Sequence, residues 1–261
     1  MFSPLTDLSR ARILLSNDDG FEADGLAVLE RVARSLSDDV WIVAPETEQS
    51  GAGHALTIHD PLRFRARGEK RFSVRGTPTD CVLVAVNHLM DRPPDLVLSG
   101  INRGGNLGED VHYSGTVAAA MEGTLLGLRA IALSQVFETN GRGIADPFQV
   151  AATHAGDVIR RVCGRPWNRQ VLINVNFPDC PLAEVTGTEL KRQGRRKLGD
   201  DIEERRDPRD RPYLWIGAQR KEDRKTAGTD LEAVFRGAIT VTPLCVDMTD
   251  LPTIEALTGA F

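Results

Sequence analysis

Short apolar runs alternate along this chain with longer stretches in which apolar residues return every three or four positions. Short runs bounded by turn-formers read as buried strands, and the longer periodic stretches as amphipathic helices. The first run, residues 12–16, ends at the turn cluster Asn17-Asp18-Asp19-Gly20. Leu26, Leu29, Val32, Ala33 and Leu36 follow at helical spacing. Residues 40–44 form a second run, stopped by Pro45 and followed by a polar, glycine-containing loop over 46–55. Residues 62–74 predict a pair of edge strands. At Thr77-Pro78-Thr79-Asp80, a threonine cap precedes proline at the first helical position, where its missing N–H costs nothing; this helix is expected to reach about Met90. A third strand at 95–99 leads into a Gly/Asn loop over 100–108, and Ser114-Gly115-Thr116 opens a small-residue helix running to Leu126. A fourth strand at 130–133, a helix across 147–162 and a strand at 171–175 follow. This alternation predicts an α/β fold with a mainly parallel sheet flanked by helices. Ligands of such sheets sit beyond the carboxyl ends of the strands, which gathers loops 17–20, 45–55 and 99–116 at one place.

The pattern changes after residue 180. Residues 191–225 hold 13 Lys/Arg against 8 Asp/Glu in a chain whose net charge is −5. Tyr213-Leu214-Trp215-Ile216 interrupts them as a short strand, and 238–244 reads as a last strand. The expected organisation is a catalytic core over 1–180 and a carboxyl-terminal extension over 181–261. The basic segment at 191–225 reads as a solvated hairpin or arm, with attraction of an anionic substrate or a second subunit as the alternative.

A length of 261 residues suits one large domain or two small ones. The mild acidity makes a nucleic-acid polymer a poor partner, because such binding relies on cations displacing counterions. Nine Phe, three Trp and two Tyr are too few for a base-stacking platform. No apolar run approaches the roughly 18–20 residues of a membrane span, and residues 1–12 lack the pattern of a secretory signal. Cys81, Cys163, Cys180 and Cys245 are far apart, which fits buried reduced thiols in a cytoplasmic protein.

The candidate chemistry lies in the loops. Asp18 and Asp19 at the end of a buried strand repel each other by ~3 kcal/mol at about 5 Å and an effective dielectric near 20. A divalent cation turns that repulsion into attraction, provided the backbone turns at Gly20 so that both carboxylates reach it. A plain Asp-rich turn is the alternative. In the loop after the third strand, Asn102 and Asn106 offer amide oxygens to a hard cation and N–H donors to phosphate. The loop is neither GxGxxG nor a Walker A motif, and a flexible surface loop is its other reading. Ser114-Gly115-Thr116 is a helix start able to hold an anion, or a simple cap. Ser50 offers a hydroxyl oxygen to the candidate metal, and His54 is a candidate proton donor or a partner supporting the metal ligands.

Several segments resemble the SurE (survival protein E) nucleotidases. They are ILLSNDDG at 13–20, VAPETEQSGAGHALT at 43–57, GTPTDCV at 76–82, SGINRGGNLGEDVHYSGTVAAAMEG at 99–123, INVNFP at 173–178 and TDLEAVFRGAITVTPLCVDMT at 229–249. The resemblance implies a Rossmann-like fold whose carboxyl-terminal extension builds a homodimer or homotetramer. It implies a metal-dependent phosphatase hydrolysing nucleoside 5′-monophosphates, with 3′-monophosphates as a side substrate and polyphosphate trimmed by some members of the family. The family's metal ligands fall on Asp18, Asp19, Ser50 and Asn102, and its phosphate pocket on Asn106, Ser114, Gly115 and Thr116.

In the expected mechanism one Mg2+ or Mn2+ ion activates water for in-line attack on the phosphoryl group, with Asp18, Asp19 and His54 as the catalytic set. Attack by Asp18 itself is the alternative route. A non-catalytic nucleotide-binding module and a metal-dependent glycosyltransferase are the rival readings, the second lacking an Asp-x-Asp motif at this site.

Overall fold

The computed structural model describes residues 1–137, 146–198, 202–216 and 220–260. The apolar runs become β1 (Arg12–Ser16), β2 (Asp39–Pro45), β5 (Leu96–Arg103), β6 (Arg129–Gln135) and β7 (Val171–Phe177). Between them lie β3 (Arg63–Gly68) and β4 (Arg71–Arg75), and helices α1 (Asp24–Arg34), α2 (Pro78–Val84), α3 (Gly115–Leu125) and α4 (Gln149–Cys163). One nine-stranded sheet results, in the order β3-β4-β2-β1-β5-β6-β7-β13-β8, where β8 is Gly187–Leu190 and β13 is Ala238–Cys245. From β4 to β7 all neighbours are parallel; β3 runs antiparallel to β4 and β13 antiparallel to β7, while β8 runs parallel to β13.

Strand alternation splits the core into two layers. Ile13 and Leu15 pack in the cluster that holds Leu29 of α1 and Ile159 of α4. Leu14 packs in the other, with Val82 of α2 and Val117 of α3. Continued past β1, the same period-2 alternation aims Asp18 towards α3 and Asp19 towards α1.

Some boundaries differ from expectation. β5 continues through Arg103, so the first part of the Gly/Asn loop is strand, with a register shift between Ser99 and Asn102. The helix expected to reach Met90 is α2 followed by a wider π-turn over Ala85–Leu89. Of the two expected edge strands only β3 is at an edge, since β4 lies between β3 and β2. The periodicity gave no sign of β8, α5 (Asp230–Phe235) or α6 (Leu251–Leu257).

The extension contributes β13 and β8 to the main sheet. In the arm, β9 (Arg196–Leu198) pairs with β12 (Arg220–Glu222) and β10 (Ile202–Arg206) with β11 (Pro212–Ile216), both antiparallel. Residues 199–201 and 217–219 of the expected arm lie outside the described residues. Cys81, Cys163 and Cys180 are buried as expected, but Cys245, at the end of β13, is exposed. Burial pushes the Cys163 thiol up to about 12 and holds the Cys81 thiol well above its ordinary value, so neither is a ready nucleophile.

Gly25 sets how closely α1 approaches β5. A Cβ there would lie 1.9 Å from the carbonyl oxygen of Ile101. Gly25→Ala is therefore expected to lower the unfolding free energy by about 1–3 kcal/mol. Urea denaturation checks this, and an unchanged midpoint would contradict so close a contact.

Candidate active site

The acidic corner is built by its neighbours. The Asn17 side-chain amide donates to the Gly20 carbonyl at 2.8 Å, closing the turn. Gly20 holds φ at +103°, and a Cβ on it would lie 3.3 Å from the Thr47 backbone. The Gln49 N–H donates to the Asp18 carbonyl at 2.8 Å, which draws the loop after β2 alongside.

Asp18 is buried against the start of α3. Its Oδ1 accepts a hydrogen bond from the Thr116 hydroxyl. A Cβ on Gly115 would stand 2.6 Å from Asp18 Cβ, so glycine is what lets the first helical turn sit on this carboxylate. Burial raises the Asp18 pKa, and the Thr116 hydroxyl and the N–H groups of Thr116 and Gly115 oppose that rise. Asp19 Oδ2 accepts from the Arg103 N–H at 3.1 Å, at the end of β5. Burial, and then the charge of Asp18, push the Asp19 carboxyl up to about 6. The two carboxylates therefore face different elements while each feels the other.

Asn102 immediately precedes Arg103. Its Nδ2 donates to the Gly104 carbonyl at 2.9 Å, which commits the nitrogen to the loop and leaves the oxygen as the donor atom for a cation. Ser50 is exposed and its hydroxyl donates to Glu48 Oε1 at 2.8 Å. Ser50, Glu48, Asp19 and Arg103 share a cleft of about 480 Å³ with residues 22–25, Pro147 and Phe148. Ser114 caps α3, its hydroxyl accepting from the Val117 N–H at 3.1 Å. Asn106 is buried, with Nδ2 donating to Ser134 Oγ at 2.7 Å.

His54 is held elsewhere: its Nε2 lies 2.9 Å from Glu122 Oε2. Glu122 is seven residues beyond Gly115, about 10 Å along the helix axis. The structure thus gathers Asp18, Asp19, Asn102 and the 114–116 helix start around the ends of β1 and β5. It puts Ser50 in the Asp19 cleft, and sets His54 and Asn106 in flanking polar contacts.

Sequence reasoning missed several supporting groups. Glu122 pairs with His54 from a helix otherwise rich in small residues, and a lone acid at a buried position was its only signal. Asp80 accepts from the Thr57 N–H at 3.0 Å and the Thr77 N–H at 2.8 Å, tying the loop after β2 to the start of α2. Asp230 accepts from the Gly108 N–H at 3.0 Å and the Gly194 N–H at 2.7 Å, which roots the arm on the loop after β5.

The donor set suits a hard cation. Among the described residues no three His, Cys, Asp or Glu side chains cluster as ligands, so neutral oxygens must complete the two carboxylates. The buried Asn17 Oδ1 beside them has no hydrogen-bond partner, a spare oxygen in an already oxygen-rich corner. All-oxygen donors favour Mg2+ or Mn2+ over softer ions.

Parallel strands covered by helices on both faces, with polar loops gathered beyond their carboxyl ends, define a Rossmann-like α/β protein. The family model described as "Survival protein SurE" matches residues 13–200, and the chain belongs to that family. It is 95% identical over 261 residues to the 5′-nucleotidase SurE of Rhodospirillum rubrum, with all of both chains covered. It is 62% identical over 265 residues to the 5′-nucleotidase SurE of Paramagnetospirillum magneticum, covering 100% of this chain and 99% of that one. The crystal structure of the SurE protein from Aquifex aeolicus matches with a TM-score of 0.81 at 38% identity, covering 94% of this chain and 98% of that one.

The raised pKa of Asp19 fixes a sign. Its folded-state value of about 6 exceeds the ordinary 3.8, so the metal-free fold binds the proton more tightly than the unfolded chain and loses stability as pH rises through that window. Asp19→Asn is expected to raise the urea midpoint at pH 7.5 in EDTA, with the gain shrinking as pH falls from 6 towards 4. An equal or lower midpoint at pH 7.5 would remove the burial and repulsion argument.

Proposed function

We propose that the chain is a divalent-metal-dependent 5′-nucleotidase. It hydrolyses nucleoside 5′-monophosphates to nucleoside and phosphate, with 3′-monophosphates and polyphosphate as side substrates. The observation that carries the reading is the buried acidic corner packed on the start of α3, with Arg103 N–H and Thr116 holding its two carboxylates. The relatives matched over their full length are 5′-nucleotidases by name, which supports the activity.

Asp18, Asp19, Ser50 and Asn102 are the residues that would hold one Mg2+ or Mn2+ ion. Bound there, such an ion supplies charge neutralisation and Lewis acidity at the phosphoryl group. The residues of the chain do the rest. Thr116 fixes Asp18, which suits a ligand better than a nucleophile. Ser114 accepts from Val117 and so keeps its own O–H to donate to a phosphoryl oxygen. Gly115 and Thr116 add the positive end of the helix. Asn106 has one Nδ2 hydrogen left after its bond to Ser134. Water attacks in line, its P–O bond forming as the bond from phosphorus to the ribose oxygen breaks. The proton that water loses passes to solvent, and His54, oriented by Glu122, donates one to the leaving ribose oxygen.

The extension over 181–261 is the proposed assembly element, building a homodimer or homotetramer through its arm. The exposed Ile202, Tyr213, Leu214, Trp215 and Ile216 on the hairpin support this. No described helix is long and apolar enough to cross a membrane. A cytoplasmic location is proposed from the four free cysteines.

A panel of nucleoside 5′- and 3′-monophosphates, with Mn2+ or Mg2+ and with EDTA, tests the activity. Phosphate release is expected with metal, and none after chelation; AMP binding without release would instead mark a binding module. Asp19→Ala and Asn102→Ala are each expected to lose about 100-fold or more of the rate with an unchanged far-UV CD spectrum. A variant keeping more than about a tenth of the rate leaves the central set. In oxygen-18 water, label is expected in phosphate within one turnover, with no hydroxylamine-sensitive phosphoenzyme in an acid quench; a trapped aspartyl phosphate would install Asp18 as nucleophile. His54→Ala with an unchanged pH–rate profile would dismiss that residue as the acid.

A further inference from the structure

Two asparagines stand where a buried strand is otherwise apolar. In β7, Leu172, Ile173, Val175 and Phe177 are buried, and Asn174 and Asn176 between them are 0% exposed. Alternation places 172, 174 and 176 on the α3 face, so the polar pair comes in as the strand nears its carboxyl end.

Both amides turn to one residue. Asn176 grips the backbone of Asn106 on both edges: its Oδ1 accepts from the Asn106 N–H at 2.8 Å, and its Nδ2 donates to the Asn106 carbonyl at 3.0 Å. Asn174 Nδ2 donates to the same carbonyl at 2.9 Å. The Asn106 side chain is fixed in turn by its donation to Ser134 Oγ on β6, at 2.7 Å. Three side chains on two neighbouring strands therefore hold the backbone and the amide of one loop residue.

The clamp is bought at the expense of packing. Asn174 Oδ1 is buried without a hydrogen-bond partner, and a bare buried acceptor destabilises the fold. A leucine at 174 would bury its surface without that penalty. The amide is explained by what its donor does for Asn106.

We propose that Asn174 and Asn176 are positioning residues of the phosphate site. They hold Asn106 so that the remaining Nδ2 hydrogen faces the phosphoryl oxygens of the bound nucleotide. The proposal rests on the reading that Asn106 contacts phosphate. Preset donors strengthen binding because the ordering is complete before the ligand arrives.

The test compares Asn174→Leu, Asn176→Asp, Asn106→Ala and the double variant Asn106→Ala/Asn174→Leu. The readouts are KM for AMP, direct binding of inorganic phosphate by calorimetry with Mn2+ present, Mn2+ affinity, and the thermal midpoint. Asn174→Leu is expected to weaken phosphate binding and raise KM by roughly three- to tenfold. Its kcat and Mn2+ affinity should change little, and its midpoint should be equal or higher. That split between affinity and stability is one a purely structural asparagine would not give. The double variant is expected to bind phosphate no more weakly than Asn106→Ala alone, since the clamp acts through that residue. Unchanged phosphate binding in Asn174→Leu, alongside weakened binding in Asn106→Ala, would overturn the positioning role and leave the phosphate reading intact. Additive losses in the double variant would also overturn it. Unchanged binding in Asn106→Ala would overturn the phosphate reading itself. Should Asn176→Asp fail to fold, Asn174→Leu carries the test.

Discussion

Two carboxylates on consecutive residues at the end of a buried strand repel each other, and the surrounding structure is organised around that tension. Asp18 is pressed into the start of α3 through Gly115 and Thr116, where backbone N–H groups partly offset its burial. Asp19 is turned the other way, to the Arg103 N–H at the end of β5. Neither arrangement neutralises the pair, since Asp19 still feels Asp18 and Glu48. In the proposed reading a divalent cation supplies the countercharge, and a phosphoryl group beside it is the chemistry that such a countercharge serves.

Three loops from separate strand ends must meet for this to work, and buried polar side chains fasten each one. The loop after β2 is stitched to α2 by Asp80 and to α3 by the His54–Glu122 contact. The loop after β5 is held at Asn106 by β7 and at Gly108 by Asp230 of α5. Asp230 also binds Gly194, so the root of the basic arm and the loop leading to Ser114 share one carboxylate. The arm proposed for assembly and the geometry at the site are therefore mechanically adjacent. The sheet supplies the rigidity, and the buried amides and carboxylates transmit it to loops that have no ladder of their own.

Much of this is legible in the sequence alone. The parallel-strand runs at 12–16, 40–44, 95–99 and 130–133 are short, apolar and bounded by turn-formers, so their periodicity speaks clearly. Adjacent Asp residues at a strand end announce themselves by their electrostatic cost. What stayed hidden depends on contacts distant in sequence. Asn174 and Asn176 look like polar breaks in a strand until Asn106 is seen opposite them, 70 residues from Asn176. Glu122 is a single acid in an apolar helix, and nothing local tells that a loop histidine meets it. The short elements β8, α5 and α6 carry too few residues to establish a period, and tertiary pairing decides them. β5 outran its expected end because glycines at 100 and 104 read as turn signals, whereas the strand passes through the first of them.

The central claim is that Asp18 and Asp19, with Asn102 and Ser50, grip one divalent cation. Anomalous diffraction from a crystal soaked in Mn2+ tests it most directly. A single peak is expected at about 2.1–2.3 Å from oxygens of both aspartates and within reach of Asn102. A peak bound by other residues, or the two carboxylates splayed with no peak between them in Mn2+ well above millimolar, would contradict it.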